Sequence, residues 1–424
     1  MRRSTVRLLL AAVLLATASM GRADTFPRLM GMNIGAKHYE DPLYQEALAR
    51  LDVAILGFYR GWNPAGYAAS PTAAMRKVAQ AIKARNPRIL LGQYTVLNEA
   101  RDDALDLRDK LDAQQWWLRD AAGRRVQWTK QYAAWEINFT AWAKPDAKGL
   151  RWPEWLAERN HAVYFRDVPE FDIVYLDNLM SPLRVTGDWD GDGANDGPQD
   201  PKIISAHYAG HRAHWRRLRE LRPGLLQIAN TDNDLSHPLW RDQLAGGFLE
   251  ALMGEHWSIE ARGGWAAMMQ RYRAVMRHTQ PPKLVGFNVH GNPADYRFFR
   301  YAYASCLLDD GHFSFTDRAL GYSSVPWFDE YEHKLGRALS PTPVAAWREG
   351  VWRRDFEHGV VLVNPGSAAR TVEVEPGLRR LAGQQDPAVN DGAAVSRLRL
   401  PPKDGIVLRR AAGAGQRTTT RPPG

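Results

Sequence analysis

The chain has 424 residues, of which 45% are hydrophobic and 24% are charged, as in an ordinary soluble globular protein. This length exceeds one minimal domain and suits a large α/β barrel with a small appendage, and the single cysteine, Cys306, excludes an intramolecular disulfide. The formal net charge is +9, but six of these charges belong to terminal arginines, so the remainder predicts no nucleic-acid partner; the six are Arg2, Arg3, Arg7, Arg22, Arg417 and Arg421.

The N-terminus has the pattern of a secretory signal peptide. Arginines precede an apolar run from Leu8 to Ala18, and small residues around Ala23 offer a cleavage site before Asp24. The run is too short to span a bilayer. We therefore expect residues 1–23 to be removed and the mature protein to be exported, to the periplasm or the medium, without a membrane span.

Eight short apolar runs alternate with helical stretches over residues 24–340. This alternation predicts a closed (β/α)₈ TIM barrel. Three helical patterns, at Thr72–Asn86, His207–Leu221 and Trp265–His278, end at or before prolines. The predicted strands are Leu29–Ile34, Val53–Tyr59, Arg88–Val96, Ile173–Asp177, Leu225–Asn230, Gly247–Leu252, Leu284–Val289 and His312–Thr316.

Polar and aromatic residues follow the C-terminal ends of these strands, where a barrel carries its active site. Amides, carboxylates and aromatic rings suit a polyhydroxylated ligand, because it offers hydroxyls to hydrogen-bond and C–H faces to stack. The expected substrate-binding residues are Asn33, Tyr59, Arg60, Trp62, Tyr94, Asn178, Asn230, Asp232, Glu255, His256, Asn288, His290 and Asp317.

Two carboxylates at strand ends suit hydrolysis of a glycosidic bond, which needs one group to protonate the leaving oxygen and one to act as nucleophile or to activate water. Asp177 ends the buried run Phe171–Asn178 beside an amide, so we expect it to stay ionised as nucleophile or base. Glu250 lies in an apolar run, which favours the protonated form of an acid/base. The rival carboxylates are Glu255 for the acid and Asp232 or Asp317 for its partner, and Glu99 is a further candidate.

The connection from Leu97 to Val168, between the third and fourth strands, holds seven of the sixteen tryptophans. Part of it predicts a hairpin with a turn at Ala122-Gly123. We interpret the tryptophans as a wall of stacking platforms for sugar rings; the alternative is that each ring packs this connection onto the barrel. They are Trp116, Trp117, Trp128, Trp135, Trp142, Trp152 and Trp155.

An acidic loop follows the fourth strand. Its carboxylates stand at positions one, three, five and nine, with Gly193 at six, as in loops that wrap calcium. Gln199 replaces the usual glutamate at position twelve. We expect a structural, non-catalytic calcium site, the alternative being an acidic turn without an ion; the ligands are Asp188, Asp190, Asp192 and Asp196.

The pattern changes near Pro341 to short strands separated by turn residues. These predict a small antiparallel, β-sandwich-like domain over residues 341–410. Residues 411–424 are nearly devoid of apolar side chains and predict a disordered tail. We expect a monomer.

Other reaction classes lack their motifs: the chain has no zinc-binding His-Glu-x-x-His, no Gly-x-Ser-x-Gly elbow and no Gly-x-Gly-x-x-Gly dinucleotide fingerprint. We therefore expect catalysis without a cofactor.

Three stretches resemble a known group of barrels: Phe171–Asn178, Phe248-Leu249-Glu250 and Gly359–Pro365. Together they are similar to hypothetical glycosyl hydrolase-like family fifteen and the related endo-α-1,4-polygalactosaminidase-like barrels. The resemblance spans most of Arg28 to Leu408 and implies a (β/α)₈ glycosidase with Asp177 in the catalytic position. A non-catalytic carbohydrate-binding barrel, serving polysaccharide binding or secretion, is the alternative.

Overall fold

The computed structural model describes residues 25–35, 38–57, 71–179, 183–231, 241, 243–254 and 258–411. The chain divides into two compact units: a barrel unit of Leu29–Asn288 with Ser314–Val325, and a second unit of Met1–Arg28, Val289–Phe313 and Pro326–Gly424. The expected signal segment and nearly all of the expected tail lie outside the described residues. No helix within those ranges has the length and hydropathy needed to cross a bilayer.

The described strands and helices alternate through most of the chain. The strands are β1 (Thr25–Phe26), β2 (Met30–Asn33), β3 (Val53–Leu56), β4 (Leu90–Val96), β5 (Glu99–Arg101), β6 (Ala134–Glu136), β7 (Phe171–Asp177), β8 (Leu226–Ala229), β9 (Gly246–Leu252), β10 (Gly286–Gly291), β11 (His312–Asp317), β12 (Gly336–Arg337), β13 (Trp352–Asp355), β14 (Gly359–Asn364), β15 (Arg370–Arg380), β16 (Ala394–Leu400) and β17 (Asp404–Arg410). The α-helices are α1 (Pro42–Ala49), α2 (Pro71–Arg85), α3 (Leu105–Gln114), α4 (Trp152–Asn160), α5 (Pro201–Leu221), α6 (Ile259–His278) and α7 (Tyr296–Leu307).

Eight parallel strands form one sheet that is nearly closed into a barrel, in the chain order β2-β3-β4-β7-β8-β9-β10-β11. Each contains or overlaps one of the eight predicted runs, so the predicted TIM-barrel fold is confirmed. Because neighbours in the sheet are consecutive in the chain and parallel, all strands end at the same rim, and the side chains after them are brought together.

Two helices begin earlier than their apolar periodicity predicts. Helix α5 starts at Pro201 because Asp200 caps it, accepting from the amide of Lys202, and proline fits the first turn. Helix α6 starts at Ile259 because Ser258 caps it, and it is kinked at Gly264 with φ 75°. The predicted start, Trp265, is the residue after this kink.

The core of the barrel is built from inward-facing residues at alternate strand positions, such as Ile173, Tyr175, Ile228 and Phe248. Because side chains alternate between the two faces of a strand, every second residue continues this inward face. The next residues on it are polar: Asp177 follows Tyr175, Asn230 follows Ile228 and Glu250 follows Phe248. The strand pattern therefore places three polar groups directly above an apolar floor.

The long connection between β4 and β7 forms a β5–β6 antiparallel pair and helices α3 and α4. The predicted hairpin is present: Arg119 bridges Arg125 across a turn in which Gly123 adopts φ 78°, a left-handed conformation that suits glycine. Trp116, Trp117 and Trp152 are buried and pack this segment, whereas Trp128 is 42% exposed. The predicted wall of platforms is therefore wrong for these three tryptophans.

The second unit contains a five-stranded antiparallel sheet in the order β13-β14-β17-β15-β16. Strand β16 was not among the predicted strands. Within the same unit, Arg300 of α7 binds both carboxylate oxygens of Asp404 at 3.1 Å. Both side chains are nearly fully buried, and Arg300 also binds Asp386, so one guanidinium faces two carboxylates.

Candidate functional site

Asp177 lies at the end of β7 and accepts hydrogen bonds from three groups. Its Oδ1 accepts from the backbone amide of Asn178 at 2.9 Å and from Nδ2 of Asn230 at 3.1 Å. Its Oδ2 accepts from the phenol of Tyr94, whose ring stacks on Tyr175. Asn178 has a left-handed backbone (φ 61°), which asparagine tolerates, and this conformation turns the chain at the end of the strand.

Burial raises the pKa of the Asp177 carboxyl above its ordinary value, the three donors oppose that rise, and the negative charge of Glu99 adds to it. This net direction is opposite to the sequence-based expectation that Asp177 ionises with ease. The cause is its position directly above the apolar floor. The three donors nevertheless favour a carboxylate as acceptor over a carboxylic acid.

Glu250 of β9 is partly exposed and accepts from two neighbours. Nδ2 of Asn288 donates to its Oε2 at 2.8 Å, and the phenol of Tyr322 donates to its Oε1 at 3.2 Å. The amide of Asn288 is held in this orientation because its oxygen accepts from the hydroxyls of Ser314 and Thr316 at 2.9 and 3.0 Å. Both carboxylate oxygens of Glu250 are therefore held in a fixed orientation by these two donors.

The charges of both carboxylates raise the pKa of the same two phenols, those of Tyr175 and Tyr322. Burial raises the pKa of Tyr175 well above its ordinary value, and the charges of Asp177 and Glu250 raise it further. Burial likewise raises the pKa of Tyr322, with added contributions from Glu250 and Asp177. Asp177 and Glu250, 73 positions apart in the printed sequence, therefore converge on one region of the barrel rim.

A charged network lies beside Asp177. Arg184 binds Glu99 at 2.7 Å and Glu136 at 2.8 Å, and the other oxygen of Glu99 accepts from Nδ2 of Asn178 at 3.1 Å. Burial raises the pKa of Glu136 to about 7 although Arg184 opposes the rise. Glu99 was only a rival candidate in the sequence, and no pattern indicated Arg184, Glu136 or Tyr322.

The remaining predicted site residues occupy different settings. Asn33 is 1% exposed and donates to Tyr44 and to the carbonyl of Ser324. Asp317 accepts from the backbone amide of Ala319 and so caps a turn. His290 is partly exposed near the end of β10. Tyr59, Arg60, Trp62, Asp232, Glu255 and His256 lie outside the described residues.

The acidic loop brings three of its four predicted ligands together. Carboxylate oxygens of Asp188, Asp190 and Asp196 lie within 4.8 Å of one another, whereas Asp192 is not part of this group. Asp190 also binds the ammonium of Lys202 at 2.6 Å. Three oxygen ligands suit a hard cation such as calcium, but Lys202 competes for Asp190 and the amides of Gly191, Asp192 and Gly193 compete for Asp188.

We expect about 10 mM calcium to stabilise the protein by about 1–3 kcal/mol, if the loop binds with the affinity of an extracellular module. Thermal unfolding with and without calcium measures this. Asp188→Asn should abolish the shift, while Asp192→Asn should keep it, because Asp192 is outside the group of three. If calcium does not shift the thermal unfolding of the wild-type protein, the negative charge of the loop is balanced by Lys202 and not by calcium.

Solved structures share this fold across nearly the whole chain. Amy13B from Eubacterium rectale is similar with a TM-score of 0.51 and 9% identity, over 92% of this chain and 96% of that one. An α-amylase from Lactobacillus plantarum has a TM-score of 0.50 and 9% identity, over 91% and 99%. A debranching enzyme from Nostoc punctiforme has a TM-score of 0.50 and 12% identity, over 88% of each chain. At these identities the likeness concerns the fold.

Sequence comparison identifies the family. Curated proteins give no match. Residues 93–360 match the family described as hypothetical glycosyl hydrolase family 15, and this range includes both carboxylates, most of the barrel strands and strands β12 and β13 of the second unit. The match covers more than half of the chain and agrees with the resemblance found on Phe171–Asn178. The chain therefore belongs to hypothetical glycosyl hydrolase family 15.

Proposed function

We propose that this protein is an exported glycoside hydrolase that cleaves the O-glycosidic bond of a polysaccharide or oligosaccharide with two carboxylates, Asp177 and Glu250. The family supports glycoside hydrolysis as the activity. The observation that carries the mechanism is that both carboxylates lie above one apolar floor: Tyr94 stacks on Tyr175 and donates to Asp177, and Tyr322 donates to Glu250. Export is supported by the signal-peptide pattern of residues 1–23.

In the proposed mechanism Glu250 gives its proton to the leaving oxygen while Asp177 attacks the anomeric carbon or activates water. Asp177 suits the second role because Tyr94, Asn230 and the Asn178 amide all donate to it. Glu250 suits the first because it is partly exposed at the end of its strand, where a leaving group entering from the rim reaches it. The chemistry requires no cofactor.

The experiment that tests the function is a screen of the purified mature protein against bacterial and plant polysaccharides, with released reducing ends as the measurement. We expect at least one polysaccharide to be cleaved. Proton NMR of the first product then gives its anomeric configuration and decides between retention and inversion. Binding without cleavage across the whole screen would identify a carbohydrate-binding barrel instead.

Replacing Glu99 by glutamine tests the electrostatic setting of Asp177. The change removes a negative charge that raises the pKa of Asp177, so that pKa should fall. Because Asp177 acts in its ionised form, the acid limb of the kcat/KM profile should move to lower pH. The matched control is Asp102→Asn, an exposed carboxylate of the same connection that binds Trp135, and it should leave the limb in place. An unmoved limb in Glu99→Gln would contradict the coupling.

A further inference from the structure

Two exposed aromatic rings stand beside the catalytic carboxylate. Trp128 is 42% exposed and Tyr132 is 46% exposed, and their ring centroids are 5.7 Å apart. Large aromatic rings are usually buried, so a pair left open to solvent at an active-site rim needs an explanation. Tyr132 lies close enough to Tyr322, the partner of Glu250, to contribute to the raised pKa of that phenol.

The indole of Trp128 is held in place from two directions. Its Nε1 donates to Oε2 of Glu99 at 3.0 Å, and the guanidinium of Arg184 lies 4.6 Å from its ring centroid. The hydrogen bond fixes the edge of the ring and the guanidinium covers one of its faces. The ring is 42% exposed and is fixed in orientation before any ligand arrives.

The same carboxylate links this ring to the site of chemistry. While Oε2 of Glu99 accepts from Trp128, its Oε1 accepts from Nδ2 of Asn178 at 3.1 Å. The backbone amide of Asn178 in turn donates to Asp177 at 2.9 Å. Three hydrogen bonds thus connect the indole of Trp128 to the proposed nucleophile, Asp177.

We propose that Trp128 and Tyr132 form a stacking subsite for a pyranose ring of the substrate, on the Asp177 side of the site. The subsite deepens the proposed function and rests on it. A pyranose presents a face of C–H groups that packs on an aromatic ring, and its equatorial hydroxyls reach polar groups at the edge. Glu99 and Arg184 lie at that edge and hold the indole in place. Glu99 then acts as a positioning residue, since it orients both the platform and Asn178.

The test measures binding without turnover, in protein carrying Asp177→Asn. The probe is an array of defined oligosaccharides of neutral hexoses, hexosamines and uronates. For whichever oligosaccharide binds, adding Trp128→Ala should weaken affinity by at least about tenfold, because both stacking and buried apolar area are lost. Trp128→Phe keeps the aromatic face and should restore most of the affinity, although it loses the bond to Glu99.

The matched control is Trp347→Ala in the second unit, where the indole also lies under guanidinium groups, those of Arg348 and Arg353. It should leave glycan affinity unchanged. If Trp128→Ala lowers the melting temperature, Tyr132→Ala carries the test, and unchanged affinity in that variant would overturn the subsite.

Failure of the subsite and failure of the proposed function give different results. Hydrolysis by the wild type with an unchanged KM in Trp128→Ala would reject the subsite and keep the hydrolase. Binding that depends on Trp128 in a protein that cleaves nothing would reject the hydrolase and keep the subsite.

Discussion

Asp177→Asn and Glu250→Gln are each expected to lower glycan hydrolysis by at least about 10³-fold while leaving glycan affinity within a few-fold of the wild type. Both replacements have the shape of the original side chain. In Asp177→Asn the remaining oxygen can still accept from the Asn178 amide and from Asn230. In Glu250→Gln the oxygen can accept from Asn288, and the new amide can donate to the phenol of Tyr322. The fold should therefore survive while the chemistry is lost.

The two variants should differ on a substrate with an activated leaving group. A dinitrophenyl glycoside needs no proton on its leaving oxygen, so Glu250→Gln should retain turnover of it, whereas Asp177→Asn should not. The opposite pattern would exchange the two roles. The matched control is Asp172→Asn, at the other end of the same strand, where the carboxylate binds Lys83. It should stay within about twofold of wild-type activity. Full activity in both catalytic variants would remove both residues from the mechanism.

Much of the site is readable from the sequence because a parallel barrel has simple geometry. Apolar runs such as Phe171–Asp177 are short, separated by helices and buried on both faces, so their type is unambiguous. Their consecutive order brings every strand end to one rim. The period of two then puts Asp177 and Glu250 on the inner face without any knowledge of their contacts.

Contacts made by loops cannot be predicted from strand order and periodicity. Tyr322 follows β11 in a turn with no periodicity, and Glu99, Glu136 and Arg184 meet only because a long connection folds back on itself. The protonation of Asp177 also depends on depth of burial, a three-dimensional quantity. The same holds for the tryptophans: which of seven rings stays exposed depends on the packing of the connection, so Trp128 could not be separated from its buried neighbours.

Acidification from pH 8 to pH 5 is expected to destabilise the protein strongly, because helix α5 carries three buried histidines. His207, His211 and His214 of α5 are 1%, 3% and 1% exposed and pack around the ring of Phe139. Burial lowers the pKa of His207 to about 3 and that of His214 to about 4, and it lowers the pKa of His211 well below its ordinary value. All three are therefore neutral in the folded protein at pH 5.

The unfolded chain binds protons at these histidines below about pH 6.5, while the folded protein does not. Stability is therefore complete above pH 6.5 and falls as the pH decreases toward the folded pKa values. Each histidine costs up to about 1.4 kcal/mol per pH unit in this window, so His207 and His214 together remove about 3 kcal/mol between pH 6.5 and pH 5. His211 adds a loss in the same direction.

Urea denaturation at pH 8, 6.5 and 5 measures this free energy. His214→Leu should reduce the slope of stability against pH by about one proton, because it removes a titrating group while keeping an apolar helix face. His358→Leu, the same replacement at an exposed histidine, is the matched control. A slope equal to that of the wild type in His214→Leu would mean that this histidine is already protonated in the fold, and the buried cluster would then not account for acid sensitivity. A flatter slope in His214→Leu would instead show that stability is lost because the unfolded chain binds a proton at this histidine and the folded protein does not.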